Sequence, residues 1–423
     1  MGNSIAIGTT NRVRKQSGES FRPLDLLVAA KHRSVQVETP SDLGSAVTPE
    51  SPNLSMVGID LFSGAGGMSL GAEWAGVKVE VAVEADTHAA KTFRENHPST
   101  AVINKRIESV ASIDFDSQNR RLIVFGGPPC QGFSTSNQRT RSSANPLNWL
   151  FRHYMRLVRK LMPDWVVFEN VTGMVTTEGG RFTDEVLKAF ACAGYTTSHF
   201  ILNAVEFGVP QKRSRLFIVA SRDGIRILTP QPKDERVTVW EAIGDLPVLK
   251  NGASVDELVY RCAPLSDYAR RLKGDVLTSR NHLVSRNAPE IIRRYGHIPQ
   301  GGNWSDIPAR YMTTYTDRTR CHTGIYHRLS RKEPSVVIGN FRKNMLIHPT
   351  QDRGLSVREA ARLQSFPDTF TFHGSIGFQQ QQVGNAVPPT QIRRIRATEM
   401  CPKGPIHTVG NAFLVDCPLL HFR

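Results

Sequence analysis

Residues 57–67 read VGIDLFSGAGG, a short apolar run that passes directly into a glycine-rich turn. The run is typical of a buried strand, and the turn predicts a helix behind it whose first amide groups stay free. Glycine lets the backbone approach a ligand closely, and the free amides attract polar groups. The spacing differs from a dinucleotide-binding turn, because Ser69 stands where the third glycine would be. A turn used only for packing would contain the same glycines, so both interpretations stay open.

Strand and helix patterns alternate on the C-terminal side of this turn. Apolar runs typical of strands lie at residues 79–83, 122–125, 165–168 and 216–219. Apolar residues at helical spacing lie at residues 87–96, 147–161 and 182–190. This alternation predicts an α/β fold, with a mostly parallel sheet and helices on both faces. It stops between about 226 and 350, where Pro, Gly, Arg and Asn are frequent. A second, smaller domain of irregular or β character is expected there.

A cysteine follows the predicted strand at residues 122–125 in an unusual setting. Residues 126–134 read GGPPCQGFS, so two prolines fix the backbone in front of Cys130 and glycines flank it. An isolated cysteine is most often a structural thiol, but one presented at a strand end is a candidate nucleophile. Glu84 stands directly after the preceding strand, where an acid can accept hydrogen bonds from both hydroxyls of a ribose.

Charged side chains also stand beside the later strands. Glu169 stands at the end of the predicted strand at 165–168, and Arg213 and Arg215 share a face as they lead into the predicted strand at 216–219. Residues 382–389 read QVGNAVPP, which predicts a turn. A surface acid, a solvated charge run and an ordinary turn would explain these features one at a time. Their occurrence together with Cys130 indicates one site at the carboxyl edge of the sheet.

Composition restricts the partners of the chain. Its 423 residues include 53 Lys and Arg against 38 Asp and Glu, a formal net charge of +15. This surplus favours a polyanionic partner, because neutralised phosphates release condensed counterions, although a solvated basic surface would have the same composition. The six cysteines form no CxxC pair, so no metal site is predicted and a reducing cytosol is expected. Neither a membrane-length apolar run nor a secretion signal is present.

In this order the segments resemble those of the cytosine-C5 DNA methyltransferases. Residues 60–67 are similar to the cofactor loop of that family, and the Pro-Pro-Cys-Gln segment to its catalytic loop. The other four similar segments are its catalytic acid motif at 169–171, its paired-arginine motif at 211–215, the segment after its target-recognition region at 358–367, and its closing motif at 384–388. Six segments in the order of the family make the resemblance highly specific.

The resemblance implies a Rossmann-like methyltransferase sheet that uses S-adenosyl-L-methionine as donor and double-stranded DNA as substrate, with no metal. Cys130 would add to carbon 6 of a cytosine flipped out of the duplex, and this addition activates carbon 5. Glu169 would hold a proton at N3, and Arg213 and Arg215 would grip the pyrimidine O2 or the nearby backbone. The residues expected to bind the donor are Phe62, Ser63, Gly64, Gly66, Gly67, Glu84, Pro128 and Asn385.

The patterns and the resemblance together divide the chain. The expected segments are a flexible leader at 1–52, a catalytic and cofactor-binding domain at 53–225, a small target-recognition domain at 226–352, a return segment at 353–390 that completes the catalytic domain, and an atypical tail at 391–423. Residues from about 391 onward are expected to pack loosely, because 390–396 is basic and no apolar stripe follows. A second departure from the family is Arg106, which precedes Ile107 where many relatives carry an acid that holds adenine.

Two other functions stay open. A tRNA cytosine-C5 methyltransferase has the same fold, although Gly132-Phe133-Ser134 favours DNA, and a catalytically impaired DNA-binding relative would keep the same motifs. Candidates for reading DNA bases or contacting phosphates are Arg318, Arg320, His322, His327 and Arg328. The expected setting is a monomer in the bacterial cytoplasm, associated with the nucleoid, and a cognate restriction endonuclease that acts separately is an expected partner.

Overall fold

The computed structural model describes residues 56–129, 150–233, 235–312, 324–339, 341 and 345–397. The strands are β1 Met56–Leu61, β2 Val77–Val83, β3 Ala101–Ile103, β4 Arg121–Gly126, β5 Trp165–Val171, β6 Thr196–Asn203, β7 Ser214–Ser221, β8 Leu258–Val259 and β9 Thr278–Ser279. The α-helices are α1 Gly67–Trp74, α2 Thr87–Asn96, α3 Leu150–Leu161, α4 Gly173–Thr176, α5 Arg181–Ala191, α6 Val239–Ile243, α7 Asp267–Lys273, α8 Pro289–Tyr295, α9 Val357–Leu363, α10 Ile376–Asn385 and α11 Pro389–Ala397. The leader, Cys130 and residues 398–423 lie outside the described ranges.

Seven strands form one sheet in the order β3-β2-β1-β4-β5-β7-β6. Neighbouring strands from β3 to β5 are parallel, whereas β7 runs antiparallel to both β5 and β6. The predicted α/β class with a mostly parallel sheet is therefore confirmed. β6 was not predicted, because it is an edge strand in which only Phe200 and Leu202 are buried, so its sequence lacks a strong apolar run.

The central pairing of β1 with β4 decides where the site lies. The chain places β2 and β3 on one side of β1 and then returns to form β4 on the other side. Loops that leave a parallel sheet on opposite sides of such a reversal border a crevice at the carboxyl ends of the strands. At Gly126, which ends β4, a β-carbon would lie 1.9 Å from the carbonyl oxygen of Leu61, so only glycine allows this close approach.

Side chains of the strands alternate between two cores. In β4, Leu122 and Val124 pack on the face covered by α3 and α5, while Ile123 and Phe125 pack on the face covered by α1 and α11. This alternation follows from the two-residue period of a strand. Full burial of one such side chain contributes about 1.5–3 kcal/mol, so both layers hold the sheet.

The chain between β7 and α9 forms a third core with the return segment, and its regular elements are mostly short helices rather than strands. A buried ionic cluster ties this region to α9. The guanidinium of Arg362 lies 2.6 Å from a carboxylate oxygen of Asp245 and 2.6 Å from one of Asp368, and all three side chains are fully buried. Removing one partner from a buried ion pair typically costs about 3–5 kcal/mol, since it leaves an unpaired charge. None of the described helices has the length and apolarity to cross a membrane.

The prediction of loose packing from residue 391 onward is wrong for the described part of that segment. Residues 389–397 form α11, in which Gln391, Ile392 and Ile395 are buried. The two isoleucines pack in one cluster with Met68 and Ala72 of α1. They are three residues apart and so share one face of the helix. The basic residues around them, such as the exposed Arg393, concealed this short apolar stripe in the sequence.

Truncation after Thr390 should therefore lower the melting temperature. Replacing a buried isoleucine by alanine removes apolar burial and leaves a cavity, typically about 2–5 kcal/mol. We expect Ile395→Ala to destabilise the protein by an amount in this range in urea denaturation, and Arg393→Ala, on the exposed side of the same helix, to change stability little. Equal stability of the two variants would show that α11 contributes nothing to the fold.

Candidate active site

The glycine-rich turn after β1 is tied to the end of β2. The amide of Ser63 donates to the carbonyl of Val83 at 3.1 Å, and the amide of Gly64 donates to Oε2 of Glu84 at 2.8 Å. Oε1 of Glu84 accepts from the amide of Asp86 at 2.7 Å. Burial raises the pKa of Glu84, while these amide donors act in the opposite direction. The structure thus brings together two of the segments that the sequence assigned to the donor.

The groups around this turn fit a nucleoside with a polar tail. Ser63 Oγ is buried and has no hydrogen-bond partner among the described residues, so it can bind an added group. Apart from its two chain neighbours, no described residue has a heavy atom within 4 Å of the position that a β-carbon on Gly64 would occupy, so the backbone faces open space in the described part of the chain. A carboxylate offers about four lone-pair sites, and Glu84 can still accept from ribose hydroxyls. Phe62, with φ of 63°, starts the turn and is half-buried.

Asp60, for which the sequence predicted no separate role, supports the turn through a contact with α1. It is fully buried, and its Oδ2 accepts a hydrogen bond from Ser69 Oγ of α1 at 2.6 Å. Burial raises the pKa of Asp60 to about 8. Its place inside the quoted strand was the available signal, because an acid in a run of buried apolar residues needs a specific partner.

The closing motif lies against the same turn, as the sequence predicted. A β-carbon on Gly67 would come within 2.7 Å of the Val387 carbonyl oxygen. Asn385 ends α10 with an exposed side chain. Arg106 is exposed and donates to Glu108 Oε1 at 2.7 Å, so an acid lies two residues beyond Arg106.

The segment that leads to Cys130 is held by the neighbouring strand. Pro128 is buried, and its carbonyl oxygen accepts from Nδ2 of Asn170 at 3.0 Å. Asn170 is next to Glu169 in β5, so one strand end carries both the acid and the support for the loop. Cys130 itself is outside the described residues, and the described chain stops at Pro129.

Glu169 and Arg215 form a buried ion pair at this strand end. Arg215 Nε lies 3.0 Å from Glu169 Oε1, and their side chains are 14% and 11% exposed. Burial raises the pKa of Glu169 above its usual range, although the charges of Arg215 and Arg213 oppose the shift. The second oxygen, Oε2, faces Gly127, where a β-carbon would lie only 2.5 Å away. A side chain at position 127 would therefore displace the carboxylate of Glu169.

Arg213 lies near the same acid but binds elsewhere. It is 1% exposed, and its guanidinium donates to the carbonyl oxygens of Ile338 at 3.0 Å and Gly384 at 3.2 Å. Burial lowers the pKa of this arginine, and the like charge of Arg215 lowers it further. Its contacts join the end of the small region to the closing motif.

Two glutamines complete this junction, and neither was predicted from the sequence as a functional residue. Gln211 Oε1 accepts from the amide of Ile338 at 2.7 Å, and its Nε2 donates to Gln364 Oε1 at 2.9 Å. Gln364 Nε2 donates to the carbonyl of Val383 at 2.6 Å. Both glutamines lie inside the quoted motifs, and that position was the only signal for them.

One candidate for base reading or phosphate contact is wrong. Arg328 is buried, and its guanidinium bonds to carbonyl oxygens of Tyr295, Ile298 and His348 and to the carboxylate of Asp352. A side chain with these partners braces the small region and is not available to DNA. His327 is half-buried, and the other three candidates lie outside the described part of the chain.

Comparison with known proteins agrees with this geometry. Residues 56–400 match the family described as C-5 cytosine-specific DNA methylase. The chain is 36% identical to the Type II methyltransferase M1.HphI of Haemophilus parahaemolyticus, over 81% of this chain and 86% of that protein. It is 33% identical to the Type II methyltransferase M.XorII of Xanthomonas oryzae pv. oryzae, over 80% and 83% of the two chains.

Solved structures show the same fold. A crystal structure titled as a DNA modification methyltransferase encoded within a prophage of Escherichia coli superposes with a TM-score of 0.64 at 26% identity, covering 81% of this chain and 97% of that one. The methyltransferase EhMeth of Entamoeba histolytica is 14% identical with a TM-score of 0.54, covering 81% and 96%, and shares the fold. The chain thus belongs to the C-5 cytosine-specific DNA methylases and is an S-adenosylmethionine-dependent DNA (cytosine-5) methyltransferase.

Proposed function

We propose that this enzyme acts on a cytosine flipped out of duplex DNA, with Cys130 as the nucleophile and Glu169 as the acid at N3. The observation that supports this best is the buried pair of Glu169 and Arg215 beside the Pro-Pro-Cys segment. A carboxyl with a raised pKa, next to the segment that carries a thiol, suits proton-assisted nucleophilic addition to a pyrimidine.

The thiol makes carbon 5 reactive. Addition of the Cys130 thiolate to carbon 6 forms a carbon–sulfur bond, and the electron pair of the C5–C6 double bond becomes available at carbon 5. Carbon 5 then accepts the methyl group, after which it loses its proton. The returning electron pair expels the thiolate, so the aromatic ring and the free enzyme are both restored.

Glu169 exchanges a proton with N3 through one particular oxygen. Oε1 is engaged by Arg215, whereas Oε2 faces Gly127 and the segment leading to Cys130. Oε2 is therefore the atom that holds the proton at N3 while the adduct exists. Arg215 orients the carboxyl and faces the O2 side of the ring, and Arg213, bound to two carbonyls, braces the site from behind.

S-adenosylmethionine supplies an electrophilic methyl group. Glu84 accepts from its ribose hydroxyls, Phe62 stacks on its adenine, and Ser63 Oγ and the backbone from Gly64 to Gly67 hold its methionine portion. Pro128 and Asn385 line the same site. These assignments use a carboxylate, an unpartnered hydroxyl and an open backbone that the turn already presents.

The partners follow from charge and from the relatives. A net charge of +15 suits duplex DNA, and the Type II names of the relatives suggest a cognate restriction endonuclease that acts separately. We place the chain in the bacterial cytoplasm, at the nucleoid, as a monomer. The alternative function with the same fold, that of a tRNA methyltransferase, would require structured RNA as the substrate instead.

Cys130→Ser should abolish methyl transfer, because a hydroxyl is a far weaker nucleophile than a thiolate, while donor binding stays near that of the wild type. Duplex DNA with 5-fluorocytosine at the target should trap the wild-type enzyme covalently, since fluorine cannot leave as a proton does. Cys192→Ser and Cys262→Ser are matched controls that should still be trapped on a denaturing gel. Trapping of Cys130→Ser to the wild-type extent would remove Cys130 from the mechanism.

Glu169→Gln should lower kcat by roughly 10²–10⁴, the usual contribution of a positioned acid or base. The pKa of Glu169 is raised, so the carboxyl keeps its proton to a higher pH than an ordinary glutamic acid, and activity should fall as pH rises through that raised pKa. The variant should lose this alkaline limb. Glu185→Gln, at a surface pair on α5, is the control and should keep the wild-type pH profile. An unchanged profile in Glu169→Gln would contradict the assignment.

Affinity for duplex DNA should weaken steeply with salt. Several phosphate contacts would give a slope of roughly −4 to −8 in a plot of log K against log salt, at about −0.9 per contact. Fluorescence anisotropy with a labelled duplex, in the presence of the demethylated donor, measures this slope. A flat response would mean that the positive charge lies away from the bound DNA.

A further inference from the structure

A buried histidine connects the two ends of α1, the helix that follows the donor-binding turn. His97 directly follows α2 as its C-cap, and its side chain is 0% exposed. Its Nδ1 lies 3.0 Å from both carboxylate oxygens of Glu73, in the last turn of α1. The imidazole packs on Phe93 with ring centres 4.4 Å apart and meets Phe370 edge-on at 6.0 Å.

The other side of the same ring faces the start of α1. Gly66 has φ of 101° and immediately precedes the helix. A β-carbon on this residue would lie 2.5 Å from His97 Nε2 and 2.8 Å from its Cδ2. Nε2 is buried and has no hydrogen-bond partner among the described residues. One imidazole therefore contacts α1 at both ends, two helical turns apart.

The hydrogen-bond partners assign the tautomer of this ring. An ionised carboxylate can only accept, so Nδ1 carries the hydrogen that is shared with Glu73. In the neutral ring Nε2 then carries no hydrogen, and it is an acceptor that lies against the Cα of Gly66. There is no room here for a side chain on residue 66 or for a water molecule between the ring and the backbone. The turn and the ring can therefore pack together in only one arrangement.

α1 depends on such contacts because its own sequence stabilises it weakly. It has eight residues, no side-chain cap at Gly66 and no acid in its first turn. Helices this short are marginal on their own, so tertiary contacts decide their position. The described contacts at its start include the Asp60–Ser69 hydrogen bond, the approach of Gly67 to the Val387 carbonyl and the approach of His97 to Gly66.

We propose that His97, through Glu73 and Gly66, is a positioning residue for the methyl donor. It fixes α1, so the amides and the hydroxyl between Ser63 and Gly67 are held in place before the donor arrives. Without it the turn would have to be ordered on binding, and the free-energy cost of that ordering would reduce affinity. The inference rests on the proposed role of the turn in binding the donor.

The test measures S-adenosylmethionine binding to the full-length protein by calorimetry. His97→Ala should raise Kd roughly ten-fold, the loss expected for a hydrogen bond to a charged group. In steady-state assays, KM for the donor should rise, while kcat at saturating donor and KM for DNA change less than about two-fold. His97→Asn, whose amide nitrogen can replace the Nδ1 donor to Glu73, should recover part of the affinity.

His282→Ala is the matched control. His282 is equally buried, but its hydrogen bonds go to Ser356 at the start of α9 and to the Pro247 carbonyl and not to the turn or to α1. It should lower stability without changing donor Kd. Should His97→Ala fail to fold, Glu73→Gln at a partly exposed position should still raise Kd by a smaller factor.

Wild-type Kd in both His97→Asn and Glu73→Gln, or equal Kd changes in His97→Ala and His282→Ala, would overturn the positioning role. Failure of the wild-type protein to bind S-adenosylmethionine would overturn the proposed function of the turn and the inference together. A rise in Kd confined to the His97 and Glu73 variants supports the inference.

Discussion

β1 and β4 pair in parallel at the centre of the sheet although the chain forms two other strands between them, and the active site depends on this pairing. At such a reversal of strand order, adjacent parallel strands place a ligand crevice at their carboxyl ends, between the segments that follow them. One loop is the glycine-rich turn bound to Glu84, and the other leads to Cys130. β5 lies next to β4, so Glu169 reaches the same edge of the sheet. Gly126 permits the contact with Leu61 from which this geometry starts.

The electrostatics of the site follow from the burial of its charged side chains. Burial raises the pKa of Glu169, and the two nearby arginines act against the shift without cancelling it. Where water is excluded, each charge also needs fixed protein partners that offset the cost of its lost hydration. Arg215 is held by Glu169, and Arg213 is held by the carbonyls of Ile338 and Gly384. The second set of contacts joins Ile338 and the closing motif to the sheet, so the two arginines support both the acid and the packing of the return segment.

The sequence predicted the fold class, the main strands and the residues of the turn, because buried strands and glycine-rich turns have strong local patterns. Edge strand β6 was not predicted from the sequence, because its apolar alternation is limited to the second half of the strand. α11 was mistaken for a loose tail, because two isoleucines between arginines give a weak stripe, and its stability comes from contact with α1 more than 300 residues earlier in the chain. The contacts of two arginines were also not predictable from the local sequence. The partners of Arg213 lie 125 and 171 residues away along the chain. The charge of Arg328 suggested DNA binding, whereas its partners lie inside the protein.

Bisulfite sequencing of DNA from bacterial cells that express the protein measures methylation of cytosine at carbon 5 and its sequence context in one experiment. DNA methylation through Cys130 predicts cytosines protected from conversion within one short recurring sequence, in the cells that carry the wild-type chain and not in those that carry Cys130→Ser. Complete conversion of the DNA despite folded wild-type protein, or protection found in tRNA instead, would contradict it.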